Sequence, residues 1–239
     1  MTEKGTFADR VLLFNDMISF EKIEIPDGFC VINPFSGDQK ALVKKITDVF
    51  YHKYYDDTRI RRIILGSSPA RRGSAITGVP FEDAQYLQKE TGVALEKFYI
   101  NRSASDFLSD VIKKYGGREK FYGDFYMSFV CPVGITKKNI KGNEVNCNYY
   151  ENKELQDAVY PFIIRALKNQ LNIGMDNSVC YCIGSGENYK FLSQINKKYK
   201  FFGTIVPLEH PRFIMQYNSK YKEMFIKKYI DSLCGYESK

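Results

Sequence analysis

The sequence contains no tryptophan and only two histidines, His52 and His210. Ring stacking therefore falls to its 18 tyrosines and 18 phenylalanines, and any histidine chemistry to one of two positions. The six cysteines (Cys30, Cys131, Cys147, Cys180, Cys182 and Cys234) form no Cys-x-x-Cys pair and have no spacing suited to an iron–sulfur cluster. They read as buried, reduced thiols of a cytosolic protein, and no metal or cofactor is expected. No apolar run approaches the ~18 residues of a membrane span. The first ten residues are polar and lack an apolar signal core, so a cytoplasmic location is expected. Repeats, low-complexity tracts and Pro/Gly/Ser-rich linkers are also missing. That leaves one domain over 1–239, with 1–55 as an N-terminal helical part packed on it.

What is present is sufficient for a folded core, since hydrophobic residues make up 44% of the chain. Lysine and arginine number 35 against 28 acidic residues, a net charge of +7. Such a balance draws polyanions to the surface without specifying the fold.

Residues 6–20, 39–55, 103–115 and 154–171 carry apolar positions at helical spacing, as do 187–199 and 220–234. Between them lie short apolar runs at 61–66, 125–130, 178–183 and 202–206. Buried strands alternating with helices predict a three-layer α/β/α sandwich around a central, mostly parallel four-stranded sheet. Stretches 66–83, 131–152 and 207–217 read as loops that follow strands. In such sheets ligands bind beyond the carboxyl ends of the strands, so the three should converge on one crevice.

The residues in those stretches resemble a known family. Gly66-Ser67-Ser68-Pro69-Ala70, a Gly-containing spacer, then Thr77-Gly78-Val79-Pro80-Phe81 resembles the first motif of the uracil-DNA glycosylase superfamily. The pattern is similar to its single-strand-selective monofunctional branch and bacterial relatives, where the motif begins Gly-x-Asn-Pro-Gly. His210-Pro211-Arg212 resembles the second motif. Cys131-Pro132-Val133 and the 142–148 stretch stand where the family has a Cys-Pro-Leu turn and a Gly-Lys-Asn loop.

The resemblance implies a DNA glycosylase that flips a deaminated base, uracil or a deaminated purine, out of the stack and hydrolyses its N-glycosidic bond. It implies catalytic roles for His210, meeting charge on the leaving base, and Ser68, positioning water. It implies a base-binding set of Gly66, Ser67, Phe81, Phe129 and Asn148. It implies DNA contacts from Arg71, Arg72, Pro211, Arg212, Phe213 and Met215, with Phe213 and Met215 as apolar wedges. The expected partner is DNA, met by a monomer associated with the nucleoid.

Two positions depart from the family pattern. Ser68 stands where relatives carry a water-positioning Asn, and Phe129 falls near the family's base-reading amide, a task that Ser128 or Asn148 could take over. A binding module that has kept the pocket and lost the chemistry is therefore the alternative reading.

Each site residue also has a plainer reading. His210 could be a structural turn histidine, Phe81 a core residue and Ser68 a turn former. The cluster Arg59, Arg61, Arg62, Arg71 and Arg72 could be a solvated face. Asp83 reads as a helix cap that could instead hold water, and Gly184-Ser185-Gly186 as a helix-start turn that could instead bind an anion. His52 reads as a surface residue.

Overall fold

A computed structural model describes residues 5–94 and 102–235, and for 102–104 the backbone only. The chain opens with α1 (Phe7–Ser19), started by a capping box between Thr6 and Asp9, followed by β1 (Phe29–Ile32) and α2 (Lys40–Tyr55). Next come β2 (Arg61–Gly66), the short α3 (Ser74–Thr77) and α4 (Ala84–Thr91). They are followed by α5 (Arg102–Tyr115), α6 (Arg118–Asp124), β3 (Phe125–Phe129), β4 (Gly134–Lys138) and β5 (Glu144–Asn146). The last part holds α7 (Lys153–Asn172), β6 (Met175–Ile183), α8 (Glu187–Tyr199), β7 (Thr204–Leu208), α9 (Pro211–Tyr217) and α10 (Lys222–Cys234).

Four strands form the expected sheet, in the order β3-β2-β6-β7, with every neighbouring pair parallel and helices flanking it. The inner strand β2 and the edge strand β3, which helices cover, are buried almost throughout, which is why they read in the sequence as apolar runs. A shift of register between Arg62 and Ile63 carries β6 past β2 before pairing resumes at Ile63–Cys180.

The structure corrects the sequence reading in four places, the first being 207–217, which is no plain loop but the end of β7 followed by helix α9. The stretch 131–152 is not a plain loop. It folds into β4 and β5, which join β1 in a second, antiparallel sheet of order β1-β4-β5. The 67–83 loop contains the helical turn α3. Arg61 is not on a solvated face but is completely buried. Its guanidinium donates to Asp57 at 2.8 and 2.9 Å and to the Tyr122 carbonyl at 2.6 Å, and it lies over the rings of Phe7 (4.6 Å) and Tyr55 (4.8 Å). Those contacts replace the water that a buried charge gives up.

Four of the six free cysteines are buried, while Cys30 and Cys234 are exposed. His52 lies on the exposed side of α2 between Asp48 and Asp56. Among the described residues no helix is long and apolar enough to cross a membrane.

Candidate active site

All four parallel strands end at one open cleft of about 1370 Å³. Its walls are the Ser67–Ser74 segment and Phe81 after β2, Phe129 at the end of β3, Asn146–Asn148 at the end of β5, residues between Gly184 and Asn188 after β6, and residues between His210 and Tyr217 after β7.

Gly66 is the innermost point of the first wall. A β-carbon there would come within 2.5 Å of Phe81 Cζ and 3.0 Å of Phe129 Cδ1, so only glycine lets both rings close over the strand end. The two rings contact each other at 5.2 Å between centroids. Phe81 itself adopts φ 63°, the left-handed region that bulky side chains avoid. Its N–H donates to the buried Ser74 Oγ at 3.1 Å. The following Glu82 is buried and clamped by Arg118 through two 3.1 Å bonds, with the Tyr122 hydroxyl as a third donor. Burial pushes Glu82 up from the ordinary carboxylate range, against the pull of Arg118. Asp83 caps α4 by accepting from the Tyr86 N–H at 2.8 Å.

His210 is the N-cap of α9. Its Nδ1 accepts the backbone N–H of Arg212 at 3.0 Å. An accepting Nδ1 carries no proton, which places the single ring proton of the neutral imidazole on Nε2. Burial, then the charge of Arg212, lower the pKa of His210 to about 4. The residue before it is anchored from α10, where the Tyr229 hydroxyl donates to the Glu209 carbonyl and Lys228 pairs with the Glu209 carboxylate.

A polar network ties the segment after β2 to the 146–151 segment. Ser67 Oγ donates to Asn148 Oδ1 at 3.1 Å, and Asn148 donates through both its backbone N–H and its Nδ2 to Glu151 Oε1, each at 2.9 Å. Asn146 Oδ1 accepts the Arg71 N–H at 2.8 Å, and the Arg71 guanidinium lies 3.8 Å from Glu144.

Ser67, Ser68, Phe81, Phe129, Asn148, His210, Arg71, Arg72, Arg212 and Phe213 are thus brought together on one cleft. Three other expected site residues lie behind its surface. Gly66 supports the two rings, Pro211 is buried at the start of α9, and Met215 packs against the core. Tyr217, exposed and paired with Phe213 at 6.0 Å, takes the outward position that Met215 does not. Sequence reasoning missed Tyr217, Ser74 and Glu151. Only Glu151 has a signal, the Asn-x-x-Glu spacing in which a carboxylate reaches back to an N–H three residues earlier.

The model of the uracil DNA glycosylase superfamily matches residues 52–234, which include every wall of this cleft. The chain belongs to the uracil DNA glycosylase superfamily. The crystal structure of wild-type SMUG2 from Pedobacter heparinus, a solved structure similar to it, is 43% identical, with a TM-score of 0.90 over 96% of this chain and 97% of that one. No curated protein matches the chain. The matched stretch takes in all four parallel strands and the cleft at their carboxyl ends.

Proposed function

We propose that the protein is a monofunctional DNA glycosylase that hydrolyses the N-glycosidic bond of uracil or another deaminated base after flipping it into the cleft. The observation that carries this reading is the state of His210: a neutral imidazole, held by its own helix cap, with Nε2–H as its available donor. A departing base takes the bond electrons and leaves as an anion, so a fixed donor at its carbonyl oxygen lowers the barrier. A neutral donor does this without moving a proton.

Phe81, backed by Phe129, offers a flat ring for the flipped base. Ser68 is a half-buried hydroxyl on the same cleft and can accept a hydrogen bond from the attacking water. Arg71, Arg72 and Arg212 stand at the walls, where phosphates of a DNA strand would pass. Expected surroundings are the cytoplasm and its DNA, with the protein acting as a monomer.

Oligonucleotides carrying one uracil, hypoxanthine or xanthine, incubated with the protein and treated with alkali, should break at the lesion. DNA binding without breakage at any of them would favour a pocket-bearing binding module. The serine at position 68, in place of the family amide, is the feature that reading would rest on.

A further inference from the structure

Two aromatic rings, Phe81 and Phe129, close the inner wall and leave no amide at the strand end to read a base. The cleft has a polar edge at Asn148, which Ser67 joins to the end of β2. An asparagine amide carries a donor and an acceptor, and which one stands where depends on its neighbours. Here the neighbours are unequal. Ser67 has a hydroxyl that can donate or accept, so it suits either orientation. Glu151 accepts from the Asn148 backbone N–H and from Nδ2, while its other oxygen accepts from Lys137 Nζ at 2.9 Å. Burial raises the pKa of Glu151, but these bonds outweigh it and keep the group below the usual range, ionised and acceptor-only. A reversed amide would set Oδ1 against a carboxylate oxygen. Glu151 therefore permits one orientation, leaving one amide hydrogen and one lone pair of Oδ1 for a ligand.

We propose that Glu151 is a specificity-determining positioning residue: it fixes the direction of the Asn148 amide and so makes the cleft select bases with a lactam edge, –NH–C(=O)–, over bases with an amidine edge, –N=C(NH2)–. This rests on the glycosylase reading. Deamination converts the second edge into the first by replacing an amino group with a carbonyl and placing a proton on the ring nitrogen. Donor and acceptor exchange places, so an amide held in one direction matches uracil or hypoxanthine and mismatches the parent cytosine or adenine. A matched pair of such bonds discriminates on the order of tenfold or more.

The test uses single-stranded oligonucleotides with one uracil or one cytosine on a 2′-fluorinated sugar, which stabilises the glycosidic bond, so that binding is read without cleavage. The wild-type protein should prefer the uracil strand about tenfold. Glu151→Ala removes the oxygen that both Asn148 donors share, and should bring the preference close to one in a protein that stays folded. Glu151→Gln, whose Oε1 is held as an acceptor by the Asn148 backbone N–H, should retain most of it. An unchanged preference in Glu151→Ala, or one lost equally in Glu151→Gln, overturns the proposal. Base release from ordinary uracil strands separates the two readings. A wild-type protein that prefers uracil yet releases none fails only the hydrolysis reading. One that shows no preference fails the amide assignment, whatever it releases.

Discussion

At position 210 the backbone chooses the protonation state. Protonating Nδ1 would turn it from acceptor to donor against the Arg212 N–H, and a cation would sit beside the Arg212 charge. With its pKa near 4 instead of 6.5, His210 binds fewer protons in the folded state than in the unfolded chain. The stability this contributes is present above pH 6.5 and is lost as the pH falls from 6.5 through about 4. Base release should follow, staying level from pH 7 to 5 and dropping near 4; an acid limb centred near 6.5 would show an ordinary imidazole. His210→Ala should slow single-turnover release on the order of 10²–10³-fold while changing DNA affinity far less. Ser68→Asn restores the longer amide, and should raise release from uracil-containing DNA with a stability change below ~1 kcal/mol. These residues were legible because they stand in motifs at strand ends. Glu151 was not: its Asn-x-x-Glu spacing suggests a reach back to position 148, but that reach bears on the cleft only once Ser67 stands on the other side of the Asn148 amide.

Strand β2 shows what a sequence can and cannot declare about an element. Ile63-Ile64-Leu65 announced a buried strand, and the parallel sheet followed from four such runs. The antiparallel sheet was invisible because β5 is largely exposed and β4 ends in two lysines, so neither carries an apolar signature. The charged start of β2 misled for the opposite reason: Arg61 looked solvated, yet Asp57 and three carbonyls had replaced its water. Removing it leaves Asp57 without its buried partner, and Arg61→Ala should cost about 3–5 kcal/mol in a denaturant titration. At the other end of the strand, Gly66→Ala forces the Phe81 and Phe129 rings apart. Stability should fall by about 1–3 kcal/mol, and base release should fall further than the loss of folded protein explains.

Across the whole molecule, charge and cohesion follow different lines. The excess of seven positive charges is spread over the chain, but Arg71, Arg72 and Arg212 all meet the cleft. Arg72→Ala should weaken DNA binding and reduce the salt slope by about one phosphate contact; a slope unchanged between low and high salt would remove Arg72 from the interface. The superfamily signature starts at residue 52, in the last turn of α2, whereas the likeness to SMUG2 takes in 96% of the chain. Cohesion starts much earlier. The Phe7 N–H donates to the Asp57 carbonyl at 2.5 Å, its ring stacks on Tyr55 at 5.5 Å, and it covers the Arg61 guanidinium. The signature of the superfamily and the contacts that hold the domain together thus begin at different residues. A chain begun at residue 52 would uncover a cation and its tyrosine neighbours together, so the first helix is a keystone and no ornament.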